Sequence, residues 1–298
     1  LAFIQYVRSF TQPLAQMAQV VGQVQTMAAA AERVFAFLDV EEETEPETSP
    51  VIGEVKGRVC FEDLVFGYDP QKPVIRGFSV CVQPGRTCAI VGETGSGKTT
   101  LVKLLMRFYD PQGGRITLDN KDLREYSRQE ARRPFGMVLQ DTWLFSGSIM
   151  ENIRYGRPGA TDEEVVQAAR HAHADHFIRA LPGGYDMEIN EEADNISAGQ
   201  KQLLTIARAV LADKPLLILD EATSNVDTLT ERRIQDAMAF LMRGRTSFVI
   251  AHRLSTIQGA DLILVMHDGS IAEMGSHEEL IARGGRYKAL YESQFEEA

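Results

Sequence analysis

Apolar residues are spaced in two different ways along this chain of 298 residues, and the change of spacing divides it. Over the first stretch they recur at alternating intervals of four and three: Phe3, Val7, Phe10, Leu14, Met17, Val21, Val24, Ala28, Ala31, Phe35 and Leu38. That is a heptad seam, and it predicts one long helix over residues 1–38. Pro13 has no amide hydrogen to donate, so it is expected to kink the helix or to mark where it passes from one environment to another. Gln5, Gln12, Gln16, Gln19, Gln23 and Gln25 interrupt the apolar surface, leaving no run of about 18 residues that meets the usual membrane-span criterion. Two readings follow: a soluble packing helix, or the cytosolic end of a membrane helix, and the second is the expectation adopted. The chain opens on Leu1 without a signal-peptide pattern and is expected to be part of a longer polypeptide.

Residues 39–50, DVEEETEPETSP, are acidic, carry two prolines and cannot bury enough apolar surface to fold alone, so they read as a linker. From residue 51 the spacing changes to short β-rich runs, glycine turns and amphipathic helices in alternation, which predicts an α/β domain over 51–298. Strands are expected at 58–66, 78–82, 87–91, 216–219, 246–251 and 262–266, with a hairpin turn at Asp268-Gly269. Helices are expected at 97–108 and 197–211. A polar helical stretch over 149–181 interrupts the strands like an inserted subdomain, placed at about 141–212.

Composition changes this picture in two respects. The formal net charge of -11 argues against a nucleic-acid partner, because duplex binding rests on clustered Lys and Arg. The cysteines Cys60, Cys81 and Cys88 form no CxxC pair, and they are expected to be small apolar residues of strands in a reducing, cytosolic setting.

The chemistry concentrates in a few segments. Residues 92–99, GETGSGKT, match G-x-x-x-x-G-K-[ST] where a predicted strand ends and a helix begins, the context this phosphate-binding loop requires. Gly92, Gly95 and Gly97, with Glu93, Thr94, Ser96 and Thr100 between and after them, would let backbone amides converge on phosphate oxygens at a helix N-terminus. Lys98 would bridge the β and γ phosphates of ATP, and the Thr99 hydroxyl would ligate Mg²⁺. In LLILDE, residues 216–221, the apolar run predicts a strand covered on both faces, with Asp220 at its carboxyl end facing Mg²⁺ or its waters. Glu221 then stands one step further on, suited to activating a water. His171, His173 and His176 do not share one helical face and are set aside as metal ligands. Asp69, Asp110 and Asp141 read as turn formers.

These motifs indicate a P-loop NTPase without choosing its branch. The choice comes from ISAGQ, residues 196–200, which resembles the LSGGQ signature of ATP-binding-cassette proteins, and the longer ISAGQKQLLTIAR extends the likeness. Tyr68 in FGYDP, Gln140 in MVLQDTWLF, SNVD at 224–227 and His252 in IAHRLST follow the family's order, so the resemblance covers 51–298. It implies a RecA-like P-loop core with an antiparallel β subdomain and an inserted α-helical subdomain, preceded by the long helix. It also implies ATP and Mg²⁺ as ligands: Tyr68 stacking on adenine, Gln140 reaching Mg²⁺ and the water, His252 reaching the γ-phosphate. Two such cassettes close head to tail, so Ser197, Gly199 and Gln200 would serve the nucleotide of a partner subunit.

The helix and linker ahead of the cassette resemble exporters, in which membrane and ATPase parts share a chain. The implied setting is the cytoplasmic face of a membrane, beside the chain's own transmembrane domain. Two departures from the family pattern stand out. INEEADN at 189–195 differs from the exporters' usual TEVGERG loop, so only Glu191 carries over. Ala198 replaces the first signature glycine while Glu221 and His252 are intact, a combination similar to one half of a heterodimeric exporter. A heterodimer is therefore expected over a homodimer. The rival function is a soluble, non-transport cassette ATPase of DNA repair or translation.

Overall fold

Consecutive residues of the central strands belong to different cores. In β3 (Thr87–Gly92), Cys88 and Ile90 join one apolar cluster while Ala89 and Val91 join the other. β9 (Leu216–Asp220) divides in the same way, Leu216 and Ile218 against Leu217 and Leu219. Side chains alternate across a strand, so an apolar run four or more residues long marks a sheet covered on both faces. The computed structural model describes residues 2–40, 42, 49–139, 142–190, 194–220, 227–251 and 254–295. By its contacts the chain divides into two compact units, Leu1–Glu45 and Pro46–Ala298.

In the first unit α1 (Ala2–Leu38) runs for 37 residues through Pro13 as a single helix, with none of its side chains buried. The helix expected from the heptad seam is there. Among the described residues no helix is long and apolar enough to cross a membrane.

The second unit contains two larger sheets. The first is antiparallel, in the order β2-β1-β4-β5, formed by β1 (Val59–Phe66), β2 (Ile75–Val82), β4 (Gly113–Leu118) and the short β5 (Lys121–Asp122). Its inner face packs Phe61 and Phe78 edge to face, with centroids 5.3 Å apart, against α2 (Lys98–Leu105) and the central sheet. The central sheet runs β12-β11-β3-β10-β9-β6. Its further members are β6 (Phe135–Val138), β10 (Thr246–Ile250), β11 (Leu262–His267) and β12 (Ser270–Gly275). All neighbours pair in parallel except β12, which returns antiparallel from β11 through the turn at Asp268 and Gly269, both at positive φ.

Between β6 and β9 the chain is mainly helical. It forms α4 (Ile149–Arg154), α5 (Asp162–His171), α6 (Asp175–Ala180) and α7 (Ala198–Ala212), with the two-residue strands β7 (Gly147–Ser148) and β8 (Glu188–Ile189) paired to each other. Together with α8 (Thr228–Met242) these helices build the core on the second face of the central sheet. The remaining helices are α3 (Arg128–Arg132), α9 (Leu254–Gln258), α10 (His277–Arg283) and α11 (Arg286–Phe295). Helix starts follow local chemistry: α4, α5, α7 and α10 each open on a reciprocal capping box, Ser148/Glu151, Thr161/Glu164, Ser197/Gln200 and Ser276/Glu279.

The cysteines depart from expectation. Cys60 and Cys81 are not merely small apolar strand residues. They lie opposite each other across β1 and β2, with Cα atoms 4.1 Å apart, and are joined as a disulfide, leaving Cys88 free and buried. The pairing follows from the register of β1 against β2, which strand patterning alone does not reveal.

Candidate functional site

The carboxyl ends of β3, β9 and β10 open on a cavity of about 430 Å³ lined by Val74, Thr94, Gly95, Gly97, Lys98, Thr99, Thr100, Asp220 and Ile250. Three features of the sequence bring these residues together. β3 delivers the chain to Gly92, whose φ of 149° puts it in a conformation open to glycine, and a Cβ there would lie 2.4 Å from the carbonyl oxygen of Met266 on β11. The loop then turns so that Gly97, at φ 103°, begins α2 without a side-chain cap, leaving the first amides of the helix to the cavity. β9 lies one strand beyond β10, with Asp220 paired to Ile250, so its terminal carboxylate reaches the same opening.

Lys98 is the cation of this cavity. Its ammonium donates to the carbonyls of Gly92 at 2.7 Å and Glu93 at 2.8 Å. Burial pushes its pKa down and the carboxylate of Asp220 opposes that shift, with a net lowering. A phosphate anion entering the cavity would favour the charged form further, which gives a strongly acidic chain a local place for a polyanion. Thr99 is exposed at the cavity, whereas Thr100 is buried and its hydroxyl lies 3.3 Å from the hydroxyl of Tyr68. Ser96 is buried too, and its hydroxyl has no hydrogen-bond partner among the described residues. Glu93 is exposed on the loop.

Tyr68 is half exposed and stands in an aromatic group, edge-on to Phe66 and to Tyr109 with centroids 5.3 Å away in each case. The ammonium of Lys103 lies 5.6 Å from its ring centre. Tyr109 and Lys103 were missed by sequence reasoning. A signal was present, since the tripeptide Tyr-Asp-Pro occurs twice, at 68–70 and 109–111, and the structure brings the two tyrosines together. Asp69 accepts from the amide of Gln71 at 2.9 Å, as a turn former does. Asp110 instead pairs with Arg107 and Arg128.

Ser197, Gly199 and Gln200 stand at the start of α7 and do not line the cavity. Ser197 accepts from the amide of Gln200 at 3.3 Å, and the Gln200 side chain accepts from the amide of Ser197 at 2.9 Å. The Ser197 hydroxyl thus uses a lone pair for its own helix and keeps its proton to donate outward. Ala198 is exposed and Gly199 buried. Gln140, Asp141, Glu191, Glu221 and His252 lie outside the described residues, as do positions 224–226 of SNVD. By chain position Gln140, Glu221 and His252 each follow within two residues of the end of a parallel strand, β6, β9 and β10. Asp227 caps α8 through the amide of Thr230, and that bond lowers its pKa. The ring of His171 stacks on Phe240 with centroids 4.4 Å apart.

A second polar centre, not expected from the motifs, ties α7 to the segment after β6. The Arg208 guanidinium donates to the carbonyls of Asn152 at 2.9 Å and Trp143 at 3.0 Å, and to the Asn152 side chain at 3.2 Å. It faces the rings of Trp143 and Tyr155.

The loop, the lysine and the strand-end carboxylate fit a nucleotide triphosphate, and the oxygens of Thr99 and Asp220 are the hard donors a Mg²⁺ ion takes. Comparison with known proteins agrees on the nucleotide. A family profile described as ABC transporter matches residues 75–224. A fatty acid ABC transporter ATP-binding/permease protein of Mycobacterium bovis is 57% identical over 96% of this chain and 45% of its own length. An ATP-dependent lipid A-core flippase of Chromohalobacter salexigens is 46% identical over 100% of this chain and 51% of its own. The solved structure of a bacterial Atm1-family ABC exporter with ATP bound superposes with a TM-score of 0.81 at 38% identity, over 97% of this chain and 51% of that one. The chain therefore spans about half the length of these relatives. With the phosphate loop, the strand-end acid and the signature segment all in place, the chain belongs to the ABC transporter family and carries its ATP-binding domain.

Proposed function

We propose that the chain binds and hydrolyses ATP to power export of a substrate across a membrane, as the cytoplasmic part of an exporter half-transporter. The observation that carries this reading is the shared cavity of Lys98, Thr99 and Asp220 at the strand ends, in a chain whose relatives are exporters with the permease on the same polypeptide. Lys98 and the loop amides hold the β and γ phosphates, and Tyr68 offers its exposed face to the adenine. Thr99, Gln140 and Asp220 hold Mg²⁺, which would neutralise phosphate charge when bound. Glu221 accepts the proton of the attacking water, and His252 donates to the γ-phosphate. General-base assistance of this kind is worth ~10²–10⁴ in rate.

The partners proposed are the chain's own transmembrane domain and a second half-transporter. Ser197, Gly199 and Gln200 would face the second subunit's nucleotide, with the N-terminus of α7 turned toward its γ-phosphate. Ala198 in the signature favours a heterodimer. The names of the fatty-acid and lipid A relatives support an acyl lipid as cargo. A soluble, non-transport ATPase finds no support among these relatives.

ATP turnover by the chain and its Glu221→Gln form tests the hydrolytic reading. A loss of about 10²-fold or more is expected, and an unchanged rate would remove Glu221 from its role. The same variant, incubated with ATP and Mg²⁺ and measured by light scattering, tests the partner: a monomer is expected if a different half-transporter is needed, a dimer if the chain pairs with itself.

A further inference from the structure

The antiparallel sheet holds a pair of thiol residues for which the nucleotide site has no use. Cys60 and Cys81 are direct cross-strand partners. Their surroundings differ: Cys60 is buried, with Thr117 of β4 on its other side, whereas Cys81 is exposed. The third cysteine, Cys88, lies on the central sheet, fully buried, and burial pushes its thiol pKa up. It is neither accessible nor nucleophilic enough to compete.

We propose that Cys60 and Cys81 form a reversible thiol–disulfide modification site. It takes a low-molecular-weight disulfide of the glutathione type as oxidant, with Cys81 as the entry sulfur and Cys60 as the resolving one. The Cys81 thiolate attacks one sulfur of the reagent, forming a mixed disulfide and releasing one small thiolate. The Cys60 thiolate then attacks the Cys81 sulfur and expels the second. Two protein thiols and one small disulfide become one protein disulfide and two small thiols; two electrons pass to the reagent, and the two cysteine protons end on its thiolates. In a reducing compartment the excess of small thiol reverses the exchange, so the bond is conditional.

The bond closes a loop with a sequence separation of 21 that contains the whole β1–β2 connection. Its effect falls on the unfolded chain and so on the stability of this sheet. Tyr68 lies eight positions along from Cys60, about 25 Å of extended strand, so nucleotide affinity is not the property it controls. From the loop length, the oxidised chain is expected to melt about 5–10 °C above the reduced one.

The test is to equilibrate the chain in buffers of graded reduced and oxidised glutathione, quench in acid, alkylate in denaturant and weigh the intact protein. Three alkylated cysteines are expected under reduction and one, Cys88, under oxidation, with the Cys60 and Cys81 peptides joined. Three free thiols at every ratio would overturn the proposal without recourse to any variant. Cys60→Ser should trap one glutathione on Cys81, and Cys81→Ser should trap none on Cys60. An adduct forming equally fast on Cys60 overturns the assigned order. Binding of a fluorescent ATP analogue should stay within about twofold between the two redox forms, and a tenfold change would place the effect at the nucleotide instead.

Discussion

Replacing each of two loop glycines with alanine should separate what the phosphate loop needs in order to fold from what it needs in order to bind. A Cβ on Gly92 would lie 2.4 Å from the backbone oxygen of Met266 and 2.9 Å from the hydroxyl of Ser96. Cβ atoms do not approach closer than 3.0 Å, so β3 and β11 must part by at least 0.6 Å (3.0 less 2.4), and the obstacle is a paired strand rather than a flexible side chain. Overpacking of that order costs about 1–3 kcal/mol, and the positive φ adds about 1–2 kcal/mol. A total near 3 kcal/mol corresponds to a fall in Tm of about 6–12 °C for a domain of this size. At Gly95, with φ 86°, a Cβ meets nothing within 4 Å, so Gly95→Ala carries only the backbone term, about 3–6 °C. Its new methyl, however, stands on a residue that lines the cavity and should cost ATP affinity tenfold or more, about 1.4 kcal/mol. Differential scanning fluorimetry without nucleotide and titration with a fluorescent ATP analogue give the two readings. Equal melting temperatures for the two variants, or Gly95→Ala binding as the unsubstituted chain does, would refute the assignment of these glycines.

Three further outcomes follow from contacts away from the loop. Thr246→Val removes a buried hydroxyl that donates to the Gly57 carbonyl at 2.7 Å and accepts from the Gly85 amide at 3.0 Å. Leaving those groups unsatisfied should cost about 2–4 kcal/mol in urea unfolding. Arg208→Lys loses the forked bonds to Asn152 and Trp143, and because Trp143 is the only tryptophan, its emission should shift and quench differently even where the fold is retained. The Asp175 carboxyl is raised by burial, but the Tyr185 hydroxyl at 2.7 Å and Arg179 at 2.9 Å outweigh this and hold it below its ordinary pKa. A depressed folded pKa gives stability that is present above the ordinary value of about 4 and lost as pH falls through the folded value. Melting curves between pH 5 and pH 2 should therefore fall less steeply for Asp175→Asn than for the unsubstituted chain.

The parts of this fold that could be read directly were those in which one local rule acts alone. The strands at 87–92, 216–220, 246–250 and 262–267 are short apolar runs buried on both faces, and α7 opens on a Ser-x-x-Gln capping box. β4 and β6 escaped because glycine dilutes them: GGRITL opens on two glycines, and Gly136 of β6 leaves room for Leu217, whose Cδ2 would lie 3.1 Å from a Cβ there. α8 carried a readable period, Ile234, Ala237, Met238 and Leu241, behind a polar surface. Lys98, Thr99 and Asp220 of the cavity could be read because the loop keeps a fixed internal spacing and the acid ends an apolar run, whereas Val74 and Ile250, which line it too, carry no such mark. The Cys60–Cys81 pair, the Tyr68–Tyr109 contact and the Arg208 fork could not be read. Each joins distant positions through a register or crossing, and even the repeated Tyr-Asp-Pro marks its two tyrosines without saying that they meet.

The acid at the end of β9 has a second consequence, for how the strand finds its place. Leu216, Leu217, Ile218 and Leu219 are interchangeable as far as burial is concerned, so sliding the strand by one residue would still fill three of the four buried positions with aliphatic side chains. What such a slide cannot do is draw Asp220 inward among the aliphatic residues of its neighbours β10 and β6, since a carboxylate taken out of water costs several kcal/mol. The acid that lines the cavity therefore also acts as the stop that indexes the strand. Exchanging it for leucine should leave a sheet that is equally greasy and less certain of its own alignment.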